Sequence, residues 1–156
     1  KTINNLFFIH VVNNMKNALK KELSLVKATK KDQRFIYQIV KNWLEQTDHS
    51  VTVLKIPSYT KFFKTKSIRY IIQKKFVKIG FVHILDNNEI GYYLIPEFQG
   101  MGIGTWAVAQ LMKIESRDLY YATINNKNIG SVRLVEKLGF QPKAIIYEKK
   151  TRSEVI

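Results

Sequence analysis

The spacing of apolar positions predicts one amphipathic helix in the first third of the chain. We expect it to run from Asp32, a residue suited to capping, to about residue 45. Its apolar stripe consists of Phe35, Ile36, Ile39, Val40 and Trp43. A shorter helix capped by Ser58 is predicted over residues 58–66, and residues 13–21 can form a short basic helix.

Alternating and β-branched segments predict strands at residues 23–28, 68–73 and 76–85. The turn residues 86–88 predict a hairpin that returns through residues 89–95, where Pro96 ends the strand. Downstream we expect a helix over about 103–116, a strand over 119–124, a helix over 128–138 closed by Gly139, and a final strand over 140–148. This order predicts a mixed α+β sheet rather than a doubly wound one.

The composition fits a single globular domain. The chain has 156 residues, 46% of them hydrophobic, and no cysteine, which excludes disulfides, thiolate metal sites and a cysteine nucleophile. The apolar run at residues 6–12 is too short to span a bilayer. We therefore expect a cytoplasmic protein without a membrane partner, in which residues 1–21 extend one domain over residues 22–156.

The positive charge is concentrated in the first half of the sequence. Residues 1–79 contain 17 Lys and Arg against 4 Asp and Glu, whereas residues 80–156 contain 9 against 8. One interpretation is lysine-rich codon usage that aids solubility. The other is that the first half faces an anionic partner, such as a phosphorylated acceptor or a nucleic acid.

Three glycines at positions 100, 102 and 104 separate a predicted strand from a predicted helix. Glycines let the backbone approach a ligand closely, and the free N–H groups of a first helical turn suit a phosphate. A P-loop would need Lys after the last glycine, where Thr105 stands, and a Rossmann fingerprint would need glycine at that position. The turn therefore predicts a phosphate or pyrophosphate site of another kind.

Two motifs make this prediction more specific. Gln99, Gly102 and Gly104 have the spacing of the signature Gln/Arg-x-x-Gly-x-Gly/Ala, and residues 128–140 read NIGSVRLVEKLGF. Together they resemble the pyrophosphate arm and the Asn-x-x-Ser helix of the GNAT acetyltransferase superfamily. The resemblance extends over about residues 23–147. Residues 89–97 are most similar to the branch that includes the ribosomal-protein N-terminal acetyltransferases.

This resemblance implies a GNAT fold, whose mostly antiparallel sheet is splayed at the cofactor site and flanked by helices. It implies an N-acetyltransferase that moves an acetyl group from acetyl-CoA to a primary amine by direct attack in a ternary complex. By the same resemblance, the backbone of Leu94 and Ile95 would contact the pantetheine arm, Asn128 would hydrogen-bond the pantetheine, and Ser131 would lie near the thioester sulfur. The pyrophosphate is assigned to Gln99, Gly100, Met101, Gly102, Ile103, Gly104 and Thr105, with Lys137 as a further phosphate contact.

Proton transfer has two candidate residues. Glu89 matches the position of a glutamate base in several family members, although it can also be a surface residue at a hairpin edge. Many members carry a tyrosine where this chain has Leu134, so Ser131 or another group must stabilise the thiolate. Tyr92, Tyr93 and Tyr121 are alternatives, and His83 is either a cleft residue or a structural histidine. The histidines show no metal-binding spacing, so we expect no metal.

The acceptor side of the fold is expected to include residues 47–66. This stretch mixes lysines with aromatic residues, namely Lys55, Lys61, Lys64, Lys66, Tyr59, Phe62 and Phe63. It either admits an anionic acceptor or forms a solvated helix face above packed aromatics. We expect a small-molecule or peptide amine as the acceptor and a monomer or homodimer. The alternative is a non-catalytic protein that holds nucleic acid with its basic half, although no nucleic-acid-binding motif is present.

Overall fold

A computed structural model of the protein describes residues 13, 15, 17–48 and 55–143. The apolar run at residues 6–12 and residues 49–54 of the acceptor stretch lie outside these residues. Of the strand predicted over 140–148, residues 140–143 are described and are not strand, and the rest lies outside the described residues. In the predicted basic helix, the described residues 13, 15 and 17–21 are helical.

In the part of the chain that the structure describes, the centre of the domain is a four-stranded antiparallel sheet in sequence order. Its strands are β1 (Leu23–Lys27), β2 (Ser67–Lys74), β3 (Val77–Leu85) and β4 (Ile90–Leu94). Each strand lies in a segment whose alternating or β-branched pattern predicted a strand. Short turns connect β2 to β3 and β3 to β4, whereas helices lie between β1 and β2 in the sequence.

Two pairs of helices cover the two faces of this sheet. Helices α1 (Gln33–Gln46) and α2 (Tyr59–Lys64) pack on the face that carries Ile71 and Phe81. Helices α3 (Ile103–Ile114) and α4 (Ile129–Lys137) pack on the opposite face. The predicted mixed α+β architecture is therefore confirmed.

Asp32 begins α1 as predicted, but it does not cap the helix with its side chain. Its carboxylate accepts hydrogen bonds from the backbone and hydroxyl of Thr29 and from Lys78 Nζ, which lies 2.7 Å away. Burial alone raises the pKa of Asp32, but the bonds from Lys78 and Thr29 outweigh it and hold the pKa below its usual value. Asp32 thus connects the start of α1 to β3.

The strand predicted over residues 119–124 is wrong except at one position. Tyr121 forms a single parallel bridge with Glu89: Tyr121 N donates to Asn88 O, and Ile90 N donates to Tyr121 O. Beyond Tyr121 the chain leaves the sheet, and residues 122–125 are not strand. Local β-propensity at 119–124 is real, but the partner strand diverges, and the sheet opens beyond this bridge.

Among the described residues, no helix is long and apolar enough to cross a membrane.

Candidate active site

The glycine turn connects β4 to α3 in a conformation that requires glycine. A 3-10 helix (Pro96–Phe98) follows β4, and Gly100 and Gly102 then have φ angles of +74° and +79°. These angles lie in the left-handed region, which side chains with a Cβ rarely adopt. Gly102 directly precedes the first residue of α3 and turns the chain into the helix.

The first turn of α3 presents its N–H groups to this turn. The first backbone bond that closes the helix runs from Trp106 N to Gly102 O at 3.1 Å. The preceding amides, those of Ile103, Gly104 and Thr105, have no partner within the helix by its geometry. The positive end of the helix dipole adds to their attraction for an anion. The arrangement can hold a pyrophosphate.

The free edge of β4 lies next to the turn. Because amides alternate along a strand and Ile90 N points to Tyr121, the N–H groups of Tyr92 and Leu94 point to the same open edge. The carbonyl of Leu94 accepts a hydrogen bond from Gln99 Nε2 at 3.1 Å, which ties the turn to the strand. Ile95 N instead donates to Ile79 O at 3.0 Å. Of the two predicted pantetheine residues, only Leu94 directs its amide outward.

Gly104 is the point at which β4, α3 and α4 meet. A Cβ built on Gly104 would lie 2.7 Å from Cε2 of Tyr92 and 3.0 Å from Cδ1 of Leu134. No atom could occupy that space without moving the ring or the leucine. Gly104 therefore brings the Tyr92 ring and α4 close to the start of α3. Leu134, at the position where many family members carry a tyrosine, is buried in the core and brings no hydroxyl to the site.

The start of α4 brings Ser131 to β4. Asn128 caps this helix, because its Oδ1 accepts from Ser131 N at 3.3 Å. The Ser131 hydroxyl then lies 3.4 Å from the hydroxyl of Tyr92. This contact joins β4 to the start of α4. Sequence reasoning named Tyr92 only as one of three tyrosines, since the pairing depends on the packing of α4 against β4.

The remaining predicted residues lie at the margins. Glu89 is half-buried directly before β4, where its backbone N donates to Asn87 Oδ1 and its Oε2 accepts from Asn87 Nδ2. Lys137 is exposed in the last turn of α4, at the other end of that helix from Ser131. The described residues contain no cluster of His, Asp and Glu that could hold a metal ion.

A groove of about 360 Å³ opens between α1 and the end of β4. One wall consists of Leu94, Ile95 and Gln99, which the sequence assigned to the cofactor. The facing wall combines apolar residues of α1 with carboxamides, namely Phe35, Gln38, Ile39, Asn42, Trp43 and Gln46. An apolar groove with a few hydrogen-bonding groups is typical of small-molecule sites.

The other end of the same sheet face carries Arg69, which the sequence did not single out, beside His83, which it named as either a cleft residue or a structural histidine. Arg69 on β2 pairs with His83 on β3, and His83 pairs with Gly91 on β4. A Cβ at Gly91 would lie 2.4 Å from His83 Nε2, so this glycine makes room for the imidazole above β4. Burial, with a contribution from Arg69, lowers the pKa of His83 to about 4 and keeps the ring neutral.

The lysines of the acceptor stretch are exposed, whereas Phe62 and Phe63 pack towards the sheet. The cation that contacts these aromatic rings is Arg69, whose Cζ lies 5.3 Å from the Phe62 centroid and 5.2 Å from that of Phe63. Arg69 could have been suspected from the sequence only as a single charge inside the apolar run 68–72.

Comparison with known proteins identifies the family. Residues 22–141 match the family described as Acetyltransferase (GNAT) domain, which is most of the chain. The chain belongs to the GNAT acetyltransferase family. No curated protein is a significant sequence match to this GNAT domain.

Solved structures share the fold of this GNAT domain at low sequence identity. A spermidine N-acetyltransferase from Vibrio cholerae, in complex with CoA and spermine, has a TM-score of 0.67 and 19% identity, covering 83% of this chain and 86% of its own. A phosphinothricin acetyltransferase from Sinorhizobium meliloti, in complex with acetyl-CoA, has a TM-score of 0.64 and 20% identity, covering 79% and 77%. An N-acetyltransferase from Staphylococcus aureus Mu50 has a TM-score of 0.61 and 20% identity, covering 76% and 83%.

The cofactor predicted from the sequence is acetyl-CoA. Of these neighbours, the phosphinothricin acetyltransferase contains acetyl-CoA and the spermidine N-acetyltransferase contains CoA. None of the three is named as a ribosomal-protein acetyltransferase, so the resemblance to that branch stays a prediction.

We predict that Gly104→Ala lowers the free energy of unfolding by about 1–3 kcal/mol, because the methyl group displaces Tyr92 and Leu134. Gly130→Ala in α4 is the matched control, since its Cβ would meet only Asn128 Oδ1 at 4.0 Å. The control should be neutral or stabilising by up to about 1 kcal/mol through helix propensity. Urea unfolding of both variants measures the difference, and equal stabilities would contradict the close contact.

Proposed function

We propose that this protein is an acetyl-CoA-dependent N-acetyltransferase acting on a small amine, or on the amino end of a peptide. The observation that carries the proposal is the left-handed Gly102 at the start of α3 beside the open edge of β4. Family membership and the acetyl-CoA and CoA ligands of the neighbours support it. Spermidine, the substrate named for one neighbour, is one candidate acceptor.

The turn and the adjoining groove fit coenzyme A. The backbone from Gln99 to Thr105 would hold the pyrophosphate, and the outward amide of Leu94 would contact the acyl or pantetheine portion. The groove between α1 and Leu94 would take part of the pantetheine arm, with the carbonyl of Ile95 and the amide of Asn128 as further partners. Lys137 is proposed only as an outer phosphate contact.

The bound cofactor would supply an acetyl thioester, whose carbonyl carbon accepts the amine and whose sulfur leaves. Glu89 would take the proton that the amine nitrogen releases as the C–N bond forms, directly or through a water. The Leu94 N–H would donate to the carbonyl oxygen. As the C–S bond breaks, the Tyr92–Ser131 pair, 3.4 Å apart, would deliver a proton to the sulfur. The pair would take the role of the tyrosine that many family members carry at the position of Leu134.

Acetyl-CoA at about 100 times its Kd should stabilise the folded protein by about 2.7 kcal/mol, which raises Tm by roughly 5–10 °C. Gly102→Val should abolish this shift, because a β-branched residue strains the left-handed position and fills the turn. Gly139→Val is the matched control: Gly139 also has a positive φ, +85°, but closes α4. Differential scanning fluorimetry should show the shift in the control; its persistence in Gly102→Val would remove the turn from the binding site.

Glu89→Gln should lower kcat by about 100-fold with little change in the Kd of acetyl-CoA, because only the proton acceptor is lost. Thiol release from acetyl-CoA, measured across amino sugars, polyamines, amino acids and peptide N-termini, first identifies a working acceptor. Glu136→Gln, an exposed carboxylate on α4, is the control and should leave both quantities unchanged. An unaltered kcat in Glu89→Gln would exclude Glu89 as the base.

Tyr92→Phe should lower kcat by about 100-fold while retaining the ring that packs on Gly104. If Tyr92 and Ser131 act as one hydrogen-bonded unit, the double variant with Ser131→Ala should be no slower than the more damaging single variant. Tyr121→Phe, whose side chain is 53% exposed, is the control. Steady-state kinetics that give strictly multiplicative losses would show that the two hydroxyls act independently.

A further inference from the structure

Three polar side-chain atoms are buried without a hydrogen-bond partner in the part of the chain that the structure describes. They are Ser67 Oγ, Arg69 Nε and His83 Nδ1. A buried polar atom without a partner is costly, and such atoms are rare in folded proteins. Their concentration in one place therefore points to a missing partner.

The three residues share one face and one end of the sheet. Ser67 and Arg69 are two positions apart on β2 and so point to the same side, and His83 is the direct neighbour of Arg69 on β3. This is the face covered by α2, on which Phe62 and Phe63 contact the guanidinium. The Arg69 side chain is half-buried, and burial lowers its pKa, yet no carboxylate among the described residues forms an ion pair with it.

The chemistry of these groups selects an anion. Arg69 contributes only donors, and a neutral imidazole and a hydroxyl can each donate as well. A planar guanidinium binds a carboxylate or phosphate through paired hydrogen bonds, and its stacking on aromatic rings fixes its orientation. A polyamine would meet a positive charge at this place and would leave the donors unpaired.

The proposed base, Glu89, lies across β3 from Ser67 and Arg69, on the same face of the sheet. Glu89 is next to Leu85, which pairs with Ser67, so Glu89 and Ser67 occupy one row across the sheet. Strands β2 and β4 flank β3, and two strand spacings separate them by about 10 Å. A positive amine near Glu89 and a negative group near Arg69 would therefore be matched by one extended molecule.

We propose that the acceptor is an amine that also carries an anionic group, a carboxylate or a phosphate, which binds to Arg69 together with Ser67 and His83. The proposal rests on the proposed function, because it names the substrate class of the same site. Arg69 here is a specificity residue that contacts the acceptor and takes no part in proton transfer.

The experiment compares acceptors that differ only in charge. Wild-type protein is assayed by thiol release with ω-amino acids of increasing length, their uncharged amides, an aminoalkyl phosphate and spermidine. The anionic acceptors should exceed the matched amides by about 10-fold or more in kcat/KM, the effect of a hydrogen bond to a charged group. Among the ω-amino acids, the longer ones should have the higher kcat/KM. Comparison with the aminoalkyl phosphate shows whether a carboxylate or a phosphate is preferred.

Arg69→Met retains the apolar length over Phe62 and Phe63 and should reduce the preference for the anionic acceptor to about one-fold. Arg69→Lys, which keeps the charge without the planar fork, should restore part of it. Lys61→Met, an exposed cation on α2, is the matched control and should keep the full preference. A preference for amides or spermidine, or a full anionic preference in Arg69→Met, would overturn the proposal.

Binding is measured independently of turnover. The NMR signals of the His83 imidazole, assigned with a His83→Gln variant, should shift saturably when an ω-amino acid or aminoalkyl phosphate is added, and Arg69→Met should abolish the shift. No shift with either probe would overturn the proposal. Thermal shifts with acetyl-CoA distinguish failure of the acceptor class from failure of the proposed function. If acetyl-CoA binds but the anionic amines do not, only the acceptor class is wrong. If acetyl-CoA does not bind, the proposed function itself is contradicted.

Discussion

The close contact at Gly104 determines how the candidate site is assembled. The missing side chain lets the ring of Tyr92 lie against the first turn of α3, and the same space admits Leu134 from α4. Strand β4, the start of α3 and helix α4 therefore meet at Gly104, through its contacts with Tyr92 and Leu134. The free amides of α3, the outward amide of Leu94 and the Ser131 hydroxyl owe their relative positions to this contact.

The opening of the sheet is the second constraint, and it follows from a single bridge. Glu89 and Tyr121 pair once, after which the two segments separate. A continued ladder would have consumed the amides of Tyr92 and Leu94 in strand pairing. Because it stops, those groups face an open edge, where an extended ligand can take the position of a strand. Backbone groups left free by an interrupted ladder serve here as the polar contacts of a binding site.

Much of this arrangement is accessible from the sequence because it is local. The glycines at 100 and 102 and the stop at Gly139 depend on a few neighbouring residues, and the structure has each as expected. Asn128, which the resemblance assigned to the pantetheine, caps α4 with its side chain. The strand over 119–124 failed because pairing depends on a distant partner and not on propensity alone. The contacts of Tyr92 with Ser131, and of Arg69 with His83, depend on register and helix packing, which no spacing along the chain expresses.

The unpaired atoms at Ser67, Arg69 and His83 also bear on how this protein can change. Apolar residues of similar size at these positions would remove a desolvation cost and should give a more stable fold. Without selection for function, stabilising apolar substitutions at Ser67, Arg69 and His83 would therefore be free to accumulate. Stability and function pull in opposite directions at this end of the sheet, so a thermostabilised variant obtained without selection for activity would be expected to lose these three residues first.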